Sequence, residues 1–91
     1  MDSISVKGKV VDIFPVVEKA NFKKQELVIE TEGDHPQVFL VEFFKEKTEL
    51  LDFINPGETI TISCNLRGRE WTNPNGEVKY FLSLNGWKID K

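Results

Sequence analysis

Arg67-Gly68-Arg69-Glu70-Trp71 sets two guanidinium groups and an indole at alternate positions, and Lys79 follows eight residues after the indole. Alternate side chains of an extended segment share a face, so Arg67, Arg69 and Trp71 line one side of whatever carries them. A row of cations with an aromatic ring among them suits a single nucleic-acid strand: phosphates pair with the cations while an unstacked base lies on the ring. Phe22-Lys23-Lys24 forms a second group of the same kind. Two readings stay open at each group. Trp71 either takes a base or packs over the end of a core while Arg67 and Arg69 pair with Glu70 and Glu77. Phe22 either stacks or plugs that core.

Other reactive side chains are few. His35 and Cys64 are the single histidine and the single cysteine. A structural zinc site takes about four such ligands, so no metal and no other cofactor is expected. One cysteine forms no internal disulfide and fits a reducing compartment. Nucleotide-cradling and serine-hydrolase glycine motifs are missing. The fifteen carboxylates are strewn along solvent-facing positions rather than paired as a hydrolase would need. The chain therefore reads as a binding module and not as an enzyme.

Its net charge is −3, which alone does not point to nucleic acid. The distribution says more. Five lysines stand against three acids in residues 1–25, and five bases against three acids in residues 67–91. The run Glu26 to Asp34 holds four acids and no base. If the two basic ends meet in space, a positive strip forms on an acidic protein.

These groups need a scaffold. The chain has 91 residues, 40% apolar and 30% charged, which bounds it to one globular domain over residues 1–91. Nine Val, seven Ile and five Thr against one Ala favour strands. No apolar run nears the roughly 18 residues of a membrane span. Met1-Asp2-Ser3-Ile4 lacks the basic-then-apolar pattern of a secretory signal. The expected location is cytoplasmic.

Ile4 to Phe14 alternates and then slips phase after Gly8 and Val10, as a bulged, sharply bent strand does. Pro15 ends it, and Val16 to Phe22 reads as a loop. Lys23 to Thr31 and Gln37 to Phe44 read as a hairpin about the Gly33-Asp34-His35-Pro36 turn. Phe39, Val41 and Phe43 share one face of its second strand and Leu40 and Phe44 the other; which set is core stays open. Leu50, Leu51 and Ile54 predict a short amphipathic helix within residues 45–55, stopped by Asn55-Pro56-Gly57. Glu58 to Leu66 is a strand with Ile60, Ile62, Cys64 and Leu66 inward. Arg67 to Glu77 reads as a loop about Asn73-Pro74-Asn75-Gly76. Val78 to Ile89 is the last strand, with Trp87 as a closing core residue or an oligomer contact. The order β-β-β-α-β-β is that of an all-β OB-fold, a five-stranded Greek-key barrel with one short helix. Strands apolar on both faces also imply a homo-oligomer, a dimer or a tetramer.

Three segments resemble bacterial single-stranded DNA-binding proteins: Glu42 to Leu51, Asn55 to Ile62 and, most specifically, Asn65 to Tyr80 with its Arg-x-Arg-x-Trp. The likeness spans about residues 42–84. The whole chain also resembles a small bacterial domain family of unassigned function with an OB-like fold, in which a segment such as Phe22-Lys23-Lys24-Gln25-Glu26 opens the second strand. The resemblance implies single-stranded DNA as partner, a role in replication, recombination or repair, and proteins of those processes as further partners. The chain departs from the first family in a short turn between the second and third strands. It also ends at Ile89-Asp90-Lys91 without that family's acidic tail. An OB adaptor for a protein or an oligosaccharide is the competing reading, favoured by the acidic run from Glu26 to Asp34.

Overall fold

The computed structural model describes residues 3–91; the reading of Met1 and Asp2 as a start without a leader lies outside them. The elements are β1 (Ser3–Ile13), β2 (Val17–Lys19), β3 (Phe22–Thr31), β4 (Val38–Phe44), a 3-10 helix (Lys45–Phe53), β5 (Thr59–Thr72) and β6 (Val78–Asp90). β1 pairs with β5 through its first half and with β3 through its second. β3 pairs with β4, β5 with β6, and a short parallel contact of β4 with β6 closes the ring. Five long strands in this order, with a helix between β4 and β5, make the Greek-key barrel of the OB-fold. No helix among the described residues is long and apolar enough to cross a membrane.

Closure depends on β1 serving two neighbours. Gly8 faces Thr31 of β3 on one side and Ile60 of β5 on the other. A Cβ at Gly8 would collide with the backbone carbonyl of Glu30, so only glycine lets the strands cross this closely. The phase slip expected near Gly8 is a bulge between Val10 and Asp12, where Val11 is the extra residue. The bend turns Val10 inward and leaves Val11 exposed.

Two-residue alternation fills the barrel with Leu27 and Ile29, Val41 and Phe43, Ile60, Ile62 and Cys64. Leu51 and Ile54 from the helix region seal one end. The pairs Leu27↔Val41 and Ile29↔Phe39 decide the face of β4: Phe39, Val41 and Phe43 point in, and Leu40 and Phe44 point out. The helix lies where the sequence places it but winds as a 3-10 helix. Its buried positions, Thr48, Leu51 and then Ile54, recur every third residue, which is the 3-10 period rather than the α period.

Four sequence expectations change. The loop over residues 16–22 contains β2, which pairs with β3 through Val17↔Lys24 and Lys19↔Phe22, so there are six strands rather than five. The loop over residues 67–77 is mostly strand. β5 and β6 continue past the barrel as a two-stranded arm whose last pair is Thr72↔Val78. The radius of gyration, 14.5 Å, exceeds the roughly 12 Å of a compact chain this long because of such projections. Leu66, expected inward, is 38% exposed because β5 has passed the barrel rim there. Trp87 does not close the core: it is the extra residue of a bulge opposite Ser63 and Cys64 and stays at the surface, which leaves only the oligomer-contact alternative of the two.

Cys64 is fully buried on β5, and burial pushes its thiol up to about 11. The thiolate is the reactive form. Modification at pH 8 by a disulfide reagent should therefore proceed only as fast as the domain opens, and should become immediate in denaturant. The unfolded thiol ionises near 9 while the folded thiol stays neutral to about 11, so stability should fall as pH rises through that interval. Fast labelling of the native protein would show that Cys64 is accessible.

Candidate nucleic-acid interface

The arm is held at its tip by Asn73. Its Oδ1 accepts the backbone N–H groups of Asn75 and Glu77, both at 2.9 Å, and its Nδ2 donates to Glu77 Oε1 at 3.3 Å. Gly76 takes a φ of 87°, which a side chain would resist. The turn fixes the register, so paired positions mirror each other about Asn75: Arg67 faces Ser83, Arg69 faces Phe81 and Trp71 faces Lys79. Directly paired residues share a sheet face. One face of the arm therefore presents Arg67, Arg69, Phe81, Trp71 and Lys79 together. The Arg69 guanidinium lies 5.6 Å from the centre of the Phe81 ring, a cation–π contact.

The outward face of β3 and β4 continues this surface. Its pairs are Lys24↔Phe44 and Glu26↔Glu42, and Phe22 precedes them on the same face. Phe22 and Phe44 meet edge to face with ring centres 6.1 Å apart. β2 holds the start of β3, so Phe22 is fixed at the mouth of the surface rather than swinging on a loop.

A cleft of about 630 Å³ lies between the two halves, lined by Phe22, Lys24, Glu42 and Phe44 on one side and by Arg67, Arg69, Phe81, Ser83 and Asn85 on the other. A smaller hollow of about 300 Å³ adjoins it and brings Lys23, Lys45 and Arg67 around Phe22 and Phe44. The two basic ends of the chain thus meet, as the charge distribution allowed.

Of the seven residues singled out from sequence, Phe22, Lys24, Arg67 and Arg69 line the cleft and Lys23 lines the hollow beside it. Trp71 and Lys79 lie farther out on the arm, about 13 Å along the strand from Arg67 to Trp71. Trp71 is 44% exposed, so it is not a buried plug. Neither arginine makes an ion pair among the described residues. Glu70 takes the opposite face of the arm, and Glu77 is engaged by Asn73. Lys24 differs: its ammonium bridges Glu42 at 2.8 Å and Glu26 at 3.7 Å. The hydrogen bond to Glu42 holds its pKa above the usual lysine value, so its charge is already matched.

Sequence reasoning missed Phe44, Phe81 and Asn85 as cleft residues and Lys45 beside the adjoining hollow. The signal for Phe81 was present: counting outward from the Asn73-Pro74-Asn75-Gly76 turn places it opposite Arg69. Phe44 and Lys45 required knowing which face of β4 is core. Asn85 required the parallel β4–β6 contact, where it registers with Glu42.

A closed Greek-key barrel with a cationic, aromatic cleft between its second long hairpin and the outer face of β3 and β4 makes this an OB-fold protein with an open ligand face. Residues 5–90 match the family described as Domain of unknown function (DUF3127), and the chain belongs to that family. No curated protein matches it by sequence. In shape it is similar to the mitochondrial single-stranded DNA binding protein Rim1 of S. cerevisiae, with a TM-score of 0.76 at 13% identity over 98% of this chain and 92% of that one. Another crystal form of Rim1 gives 0.75 at 15% identity over the same shares. The SSB domain of a Synechococcus sp. protein gives 0.74 at 17% identity, over 100% of this chain and 96% of that one. Both likenesses drawn from the sequence are met, one in fold and one in family.

Proposed function

We propose that this chain binds single-stranded DNA through the cleft and the arm, as a cytoplasmic binding module and not an enzyme. The observation that carries the reading is the meeting, on one face, of Arg67, Arg69, Lys23 and Lys45 with the rings of Phe22, Phe44 and Phe81. The likeness in fold to proteins described as single-stranded DNA binding supports it. Cations track phosphates while rings take bases, a combination that tolerates many sequences. A role in replication, recombination or repair, with proteins of those processes as partners, follows from that reading. The second face of the arm exposes Leu82 at 73% and Tyr80 at 78%, beside Val78 and Leu66, and supports assembly into a dimer or tetramer. A strictly monomeric mass by light scattering at high concentration would remove that part.

Fluorescence tests the binding. With Trp87→Phe, Trp71 is the sole indole, and a poly-pyrimidine strand should quench it. Trp71→Ala should weaken binding by about 1–3 kcal/mol without unfolding the protein, because an exposed stacking face is lost rather than core. Duplex DNA should bind much more weakly, its bases being already stacked.

The adaptor reading has one observation in its favour. Toward the Thr31 end of β3 the same outer face turns acidic and apolar, with Glu26, Glu42 and Glu30 beside exposed Leu40 and Val38. Phosphate avoids that half, and a protein partner would suit it. Absence of quenching at low salt would make the adaptor the leading reading.

A further inference from the structure

The cleft holds a carboxylate where a surface for phosphate alone would hold none. Glu42 stands on its floor with a side chain 18% exposed, between the aromatic walls and beside Asn85, its register partner on β6. Lys24 occupies Oε2 of Glu42, which leaves the other oxygen without an ion-pair partner among the described residues. Asn85 Oδ1 is buried and accepts no hydrogen bond among the described residues. A buried acceptor left empty is costly, and such groups ordinarily find a donor.

We propose that the cleft floor reads one base by its edge, and that the base is guanine. This rests on the single-strand reading above and adds a preference to it. The negative floor turns phosphate away toward Arg67 and Arg69, so a bound strand points a base inward between Phe44 and Phe81. Guanine alone carries two adjacent donors on its Watson–Crick edge, N1–H and the N2 amino group, next to the O6 acceptor. The donors match the Glu42 carboxylate side by side, the Lys24 ammonium keeps a hydrogen for O6, and a turn of the Asn85 side chain, which lines the cleft, brings its Oδ1 to the second amino hydrogen. Thymine has one donor between two acceptors, while adenine and cytosine each have one amino group, so each leaves an acceptor on the floor unfilled. Duplex pairing hides this edge, which ties the preference to single strands.

Competition among DNA strands of about sixteen nucleotides, the upper end of one OB domain's reach, tests the proposal. The strands are a thymine homopolymer and thymine strands interspersed with guanine, adenine or cytosine. The guanine strand should bind about tenfold more tightly than the homopolymer. Glu42→Gln should bring the guanine strand and the homopolymer within about twofold of each other. Asn85→Ala should lower the preference in part. Circular dichroism confirms that both variants are folded. Equal binding of all strands by the native protein would overturn the guanine preference and leave the single-strand reading standing. Failure of every strand to bind at low salt would overturn both.

Discussion

Gly86→Ala should destabilise the protein by about 2–3 kcal/mol, although it adds one methyl group. Gly86 pairs with Cys64 on the inward side of β6. A Cβ there would meet the Phe43 ring at its Cε2 and Cζ atoms, well inside van der Waals contact. Phe43 is fully buried and has nowhere to turn, so β6 itself would have to move. The displaced segment adjoins Leu84 and Asn85, whose parallel pairing with Val41 and Glu42 closes the barrel. In urea the midpoint should fall without a change of slope. Phe43→Leu, which shortens the ring into space, should couple to it: the double variant should be more stable than the sum of the two single losses implies. Strict additivity would show that the ring and the glycine do not press on each other.

That contact was legible only in part. Interruption of the last strand near Asn85-Gly86 is visible in the sequence, and the structure turns it into a close packing against Phe43 with a bulge at Trp87. The strands with clean alternation, Leu27 with Ile29 and Ile60 with Ile62, could be read directly because burial on one face imposes a period of two. The arm could not. Arg67 to Thr72 has no apolar alternation, since beyond the barrel neither face is core, and its strand state comes from pairing with β6 rather than from its own residues. β2 was hidden for the same reason: its three residues are all exposed and gain structure only from β3. The site followed the scaffold. Arg67, Arg69 and Phe22 were found by residue type and Phe81 was within reach of a count from the turn, whereas Phe44 and Asn85 depended on register between strands far apart in the chain, which a single chain read in order does not supply. Trp71 drew attention as the largest ring, yet the ring placed against Arg69 belongs to Phe81.

Arg67→Ala combined with Arg69→Ala should remove most single-stranded DNA binding, by a factor on the order of tenfold to a hundredfold at low salt. Both guanidinium groups line the cleft, and neither is neutralised by a carboxylate among the described residues. Each is therefore free to displace a counterion from a phosphate. The logarithmic salt dependence should fall by roughly 1.4, about 0.7 for each phosphate contact removed. Stability should change little, because the two side chains stand on the outward face of an exposed arm whose register is set by Asn73 and Gly76. The control is Lys7→Ala with Lys9→Ala, which removes the same two charges from β1, away from the cleft. It should alter affinity only slightly, as a long-range charge screened within about 10 Å at ordinary salt does. Equal losses from the two double variants would mean that net charge, and not the arm, governs binding. A loss confined to the arginine pair with an unchanged salt slope would mean that the guanidinium groups act on bases rather than on phosphates.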